Sequence, residues 1–295
     1  FIIINIFFLL LICLVIIIPK FQSLTFNNYD FYQVFSPKDG NILNQVNPRI
    51  TGLSRSLAIL TLFIFAIFIH TKKIFLKLLF FLLFLFLNFI ILMMQSRGTI
   101  LCFYASIFFI LIFMSKLNIY FKTFFIIFII ISNFLFLNLS TESKINNEEI
   151  NYQTRLLQKN TSGRLDIWEY SVKNYNFKNL LGYGPQGDRI FLNDFENKKS
   201  FGDNSSNAFL YTLLSGGYFG LIFIIFIYFI IVKNLKSLIF HYKNESVYLY
   251  FSISVIIFLI VRSIFENSFS LFSIDYLLIF SSILYIQASK NKKLN

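Results

Sequence analysis

Eight stretches of this chain run for 16 to 24 residues with almost no charged side chain, at residues 1–18, 53–70, 78–94, 99–115, 123–138, 209–232, 246–265 and 271–287. Each is close to the ~17–25 residues an α-helix needs to cross the hydrocarbon of a bilayer. A backbone facing lipid must satisfy its own hydrogen bonds, which makes helices the natural spanning structure. The expectation is an all-α, polytopic membrane helix bundle with about eight transmembrane helices. Composition agrees: 57% hydrophobic residues, 14% charged and 42 phenylalanines exclude an ordinary soluble globular domain.

Orientation follows from lysine. Lys72, Lys73 and Lys77 separate the second and third runs, and Lys116 and Lys122 the fourth and fifth. Lys233, Lys236 and Lys243 separate the sixth and seventh, and Lys290, Lys292 and Lys293 form the tail. These alternate segments belong in the cytoplasm. The long segment 139–206, with nine basic and nine acidic residues, then lies outside. Three regions result: an N-terminal bundle over 1–138, an extracytoplasmic loop over 139–206, and a C-terminal bundle with a cytoplasmic tail over 207–295. The net charge of +12 is largely cytoplasmic lysine set against anionic lipid. It is no nucleic-acid footprint, since no water-exposed helix clusters the basic residues. The chain opens on Phe1 inside an apolar run that lacks the basic region and cleavage site of a signal peptide, so further spans are expected upstream. Richness in Lys, Asn, Ile and Phe reads as an AT-rich bacterial coding bias.

Arginine is distributed differently from lysine. In this topology Arg49, Arg55, Arg97, Arg155, Arg164, Arg189 and Arg262 all fall on the outer side, while the eleven basic residues inside are all lysine. Orientation alone needs no such bias, because the rule counts Lys and Arg together. A planar, permanently charged fork suits phosphate and pyrophosphate oxygens. The outer face is therefore expected to handle an anion.

Four outer segments carry the candidate chemistry. Arg49 and Arg55 straddle the water boundary of the second run, where snorkelling to lipid phosphate is the plain alternative. Gln95-Ser96-Arg97-Gly98-Thr99 is the whole link between the third and fourth runs; Gly98 is expected to make its turn, Ser96 or Thr99 to cap a helix, and Arg97 to be fixed at the rim. Within the long loop, residues 162–175 read as an amphipathic helix with Ser162 as N-cap and Leu165, Trp168, Val172 and Tyr175 on one face. That helix holds Arg164 in its first turn, a good receptor for an anion, although an ordinary surface helix fits the pattern equally well. Gly182, Gly184 and Gly187 formally match a dinucleotide fingerprint, but no strand precedes them. They are expected to shape a turn near Arg189 whose N–H groups could meet a polar ligand. Asp203, Asn207 and the small residues Ser215-Gly216-Gly217 open the sixth run, where small residues favour close helix contact. Arg262 and Asp275 sit at similar shallow depth in adjacent runs and read as a structural ion pair. Cys13 and Cys102 lie within runs, leaving neither a disulfide framework nor a thiolate metal site.

Taken in order, Ser96-Arg97-Gly98, Ser162-Gly163-Arg164 with Ile167-Trp168, Leu181-Gly182-Tyr183-Gly184-Pro185, Ser206-Asn207-Ala208-Phe209-Leu210 and Gly216-Gly217 with Gly220 resemble the O-antigen polymerase and ligase family of bacterial membrane glycosyltransferases. The resemblance covers roughly residues 49–265. It implies a GT-C-like helical fold in the inner membrane and glycan transfer from an undecaprenyl-pyrophosphate carrier to an acceptor hydroxyl, without metal or other cofactor. It implies membrane lipids and a chain-length regulator as partners. Arg97 and Arg164 take the positions of the family's pyrophosphate-binding arginines. Asp203 is a candidate proton acceptor, and Arg49, Arg55, Arg189, Asn207 and Trp168 are candidate substrate contacts. In ligases a histidine usually stands where this chain has Ser206; its only histidines, His70 and His241, map to the cytoplasmic side. That departure favours a polymerase-like member, with Asp203, Asp188 or Glu169 as base. The rivals are a lipid-linked glycan flippase, which should show internal repeats and deeper charges, and a non-catalytic truncated member.

Overall fold

A computed structural model describes residues 50–94, 96–114, 118–120, 122–123, 125–127, 164–176, 179–194, 204–241, 246–267 and 273–291. Among these every regular element is helical: α1 (Ile50–His70), α2 (Ile74–Met93), α3 (Arg97–Phe109) running into a π-helical turn (Ile110–Met114), α4 (Arg164–Asn174), α5 (Gly187–Phe191) with a 3₁₀ turn (Leu192–Asp194), α6 (Ala208–His241), α7 (Val247–Ser263) and α8 (Ile274–Asn291). Among the described residues three helices are long and apolar enough to cross a membrane, over Gly52–His70, Ile74–Leu92 and Ala208–Leu235. Arg97–Phe113, Val247–Ser263 and Ile274–Ser289 are shorter apolar helices. The run at 1–18, most of 123–138, and Arg49, Arg155, Ser162 and Asp203 lie outside the described residues. The chain divides into two compact units, residues 1–158 and 159–295.

In the first unit α1 and α2 form a hairpin and α3 returns against α1. Phenylalanine fills the space between them. Phe65 sits 5.3 Å from Phe84 and 5.6 Å from Phe125, and Phe84 sits 6.2 Å from Phe103, ring centre to ring centre. All four rings are fully buried. Such pairs add about 0.5–1.5 kcal/mol each beyond area burial. One polar tie crosses the interior, from Tyr104 Oη to Asn88 Oδ1 at 2.9 Å. Because lipid is as apolar as the side chains, close packing and bonds of this kind hold membrane helices together. α2 begins four residues before the apolar run expected at 78, and α6 continues past 232 through Lys233 and Lys236. Lysine is a good helix former, so helix ends need not coincide with the ends of the apolar stretch.

In the second unit α7 and α8 pack as a hairpin, clamped by the buried pair Arg262 Nη1–Asp275 Oδ2, as the depth of the two residues suggested. α6 is one long helix broken at Gly217, whose φ of 60° and ψ of −154° are not helical. α5 packs on α6 beside that break.

Candidate functional site

At one end of the second unit the start of α6, the end of α7 and the start of α8 come together, with α4 tied to the first two. Asn207 makes the α6–α7 junction. Its Oδ1 accepts from the backbone N–H of Phe209 and Leu210 at 2.8 and 3.0 Å, capping α6. Its Nδ2 donates to the carbonyl of Ile264, just past α7, at 3.0 Å. The neighbouring Ser206 holds a left-handed backbone, φ 46°, rare for a residue with a side chain. Asn204 supports that turn by accepting from both Ser206 N and Ser206 Oγ.

α4 attaches to this junction through two side chains. Trp168 Nε1 donates to the Ser205 carbonyl at 2.9 Å, so the indole anchors a protein loop. Arg164 Nη2 meets Glu266 Oε1 at 2.7 Å, both side chains a little under one-third exposed. The amphipathic helix is therefore present, but its inward face is turned from the expected one. Tyr175 is buried as expected, but Leu165 and Val172 are more than half exposed, while Ile167 and Ser171 are buried in their place. Ser171 makes this possible: a small residue that satisfies its own hydroxyl on Ile167 O at 2.7 Å permits a close approach that a leucine or valine face would block.

Three carboxylates near this junction have different environments. Asp188 is 2% exposed and accepts from Ser205 N, Ser205 Oγ and Arg189 N at 3.1, 3.3 and 3.0 Å. These bonds clamp the loop over 204–207 to α5. Glu169 is exposed, and Lys173 beside it at 2.5 Å, by hydrogen bond and charge, holds its pKa below the usual value. A carboxylate held acidic is a poor proton acceptor. Glu266, partner of Arg164, was not singled out from the sequence. The only signal available was its position as a lone acidic residue between the last two apolar runs.

Several backbone N–H groups at 182–187 are already bonded within the fold. Tyr183 N donates to Leu214 O at 2.7 Å, Gly184 N to Ser215 O at 3.0 Å and Gly187 N to Gly184 O at 2.9 Å. The loop thus supplies hydrogen bonds to carbonyls next to the break in α6. Arg189 is exposed, and its Nη1 donates to Gln186 Oε1 at 3.5 Å. Around this loop Tyr175 is buried, which raises its phenol pKa, and its hydroxyl donates to Asn179 O at 2.6 Å.

In the first unit Arg97 is the first residue of α3 and Arg55 lies in the second turn of α1; both are partly buried. The α1–α2 hairpin brings the start of α1 to the end from which α3 departs, so these two arginines share one end of that unit. Two expectations for this link change. Gly98 lies inside α3 with open space where a Cβ would go, so no turn requires it. Ser96 makes no side-chain cap; its hydroxyl pairs with Thr99 Oγ1 at 3.0 Å. His70 ends α1 and His241 ends α6, each at the opposite end of its helix from these clusters. No group of three metal-ligating side chains occurs among the described residues.

A family model described as O-antigen ligase matches residues 81–225, from within α2 to within α6. The matched segment includes Arg97, Arg164, Trp168, Arg189 and Asn207 and stops short of Arg262, Glu266 and Asp275. Neither a curated protein nor a solved structure matches the chain.

Proposed function

We propose that the chain, part of which matches a family model described as O-antigen ligase, is a membrane glycosyltransferase that moves glycan from a polyprenyl-pyrophosphate carrier to an acceptor hydroxyl on the outer side of the bacterial inner membrane. The observation that carries this reading is the Arg164 guanidinium, set at the start of α4 and aimed by Glu266 at 2.7 Å. One of its five N–H donors is used by the carboxylate, leaving others for an arriving anion. The helix N-terminus adds partial positive charge at the same place.

In the reaction the acceptor oxygen attacks the anomeric carbon, and the bond from that carbon to the diphosphate oxygen breaks. The diphosphate leaves with the electron pair, and the acceptor's proton passes to a carboxylate. Cations held in place attract the leaving group more strongly as its charge grows, which lowers the barrier. In this reading Arg164 supplies that cation, and Arg97 is the other proposed diphosphate-binding arginine. Arg49, Arg55 and Arg189 are further diphosphate contacts in this reading. Asp203 directly precedes the 204–207 loop that Trp168 anchors, and it is the proposed proton acceptor. Asp188 and Glu169 are ill suited to that task for the reasons above. With Ser206 in the loop and both histidines at the far helix ends, a polymerase-like activity is favoured over a ligase. The full set of about eight spans, the outer placement of 139–206 and a chain-length regulator as partner belong to the same proposal.

The test is transfer by the full-length protein in vesicles containing lipid-linked oligosaccharide. Arg164→Lys and Arg97→Lys, which keep the charge and lose the fork, should each lower turnover by roughly 10²–10³-fold. Wild-type rates in both variants would remove the diphosphate role.

A further inference from the structure

Tyr183 combines a fixed backbone with an open ring. Gly182 and Gly184 flank it, with φ of 72° and 86°, a region that side chains disfavour. A Cβ on Gly182 would lie 2.4 Å from the Gly217 nitrogen, so the loop backbone is pressed directly on the break in α6. Tyr183 N is bonded to Leu214 O at 2.7 Å. The residue nevertheless remains 36% exposed.

Two rings contact it, and two more extend the cluster behind them. Phe191 stands 5.4 Å away and Tyr175 6.3 Å away, edge-on. Tyr218 meets Tyr175 at 6.2 Å, and Tyr170 meets Phe191 at 5.9 Å. α4, the loop, α5 and α6 thus each place aromatic rings in one cluster. Exposed amide side chains, Asn174, Asn176 and Gln186, come from the same short segments. A pyranose has a C–H face and a rim of hydroxyls. An aromatic ring carries negative charge on its face and attracts polarised C–H groups, while amides both donate to and accept from hydroxyls.

We propose that Tyr183, braced by these rings, is a glycan subsite that stacks one pyranose of the oligosaccharide being transferred or extended. The inference rests on the glycosyltransferase reading for its ligand class. A tyrosine serving only as a membrane-interface anchor has no need of a backbone held by two left-handed glycines and a helix break. A stacking platform does, because a ring already held in place loses less entropy when the sugar arrives.

The full-length protein in detergent micelles is offered maltopentaose and chitopentaose, and saturation transfer from aromatic protons to the sugar C–H protons is recorded by NMR. At least one pentasaccharide should bind. Tyr183→Phe should keep its affinity within about threefold, and Tyr183→Leu, which keeps apolar bulk without a π face, should weaken it by about tenfold. Absence of transfer to both sugars, or equal affinity in Tyr183→Leu, overturns the subsite and leaves Tyr183 as an interface anchor. Transfer from lipid-linked oligosaccharide is assayed in parallel. A protein that binds sugar through Tyr183 yet joins no glycan keeps the subsite and loses the transferase reading. A protein that joins glycan with an unchanged acceptor KM in Tyr183→Leu loses the subsite alone.

Discussion

Arg164 and Glu266 are 102 positions apart in the chain and 2.7 Å apart in the fold. If the carboxylate serves to aim the guanidinium, neutralising it should harm the same step as altering the arginine. Glu266→Gln is expected to lower transfer by about tenfold or more. The Arg164→Lys, Glu266→Gln double variant should fall short of the sum of the two losses by about 1 kcal/mol or more, since contacting residues couple. Steady-state rates of the four proteins in vesicles check this; strict additivity would separate the two residues. Arg164 could be picked out from the sequence because every arginine falls on the outer side of the topology expected from lysine. Glu266 could not, since its significance comes from a neighbour with no fixed spacing. Asp188 shows the converse. As a carboxylate in a glycine-rich loop it looked available for chemistry, and only its three hydrogen-bond donors reveal a clamp.

At the level of elements, the junction between the 182–187 loop and α6 depends on two glycines pressed together. A Cβ on Gly217 would stand 2.1 Å from Leu180 O, and both Gly217 and Gly182 have positive φ. Gly182→Ala and Gly217→Ala should each destabilise the protein by at least about 2 kcal/mol. Gly216→Ala, with open space at its Cβ and no positive φ, should be nearly silent. Thermal unfolding in micelles would show the ordering, and an equal loss in all three would remove the junction's importance. The α7–α8 hairpin offers a second test. Asp275→Asn removes the carboxylate charge that faces the buried Arg262 and should cost roughly 3–5 kcal/mol, whereas an Arg262→Met, Asp275→Leu exchange should cost less. The ion pair was legible in advance because a hairpin of two spans equates depth with adjacency. The inward face of α4 was not, because apolar spacing marks Leu165 and Val172 as the buried stripe, and the small residue Ser171 that permits close packing carries no apolar signal.

For the whole molecule, the topology expected from the lysine pattern can be examined directly. Lys173→Cys, in an exposed stretch of α4, should react with a membrane-impermeant maleimide on intact cells; Lys77→Cys, at the start of α2, should react only after permeabilisation. The reverse pattern would invert the protein and remove the outer site. The all-helical class, the positions of the described apolar helices and the arginine-bearing segments followed from the sequence alone, because bilayer thickness and backbone hydrogen bonding leave few alternatives for apolar runs of this length. Tertiary structure decided the Glu266 partnership, the closed hydrogen bonding of the glycine loop, the turned face of α4 and the ring cluster at Tyr183. Each depends on side-chain geometry between segments far apart in the chain, for which hydropathy has no term.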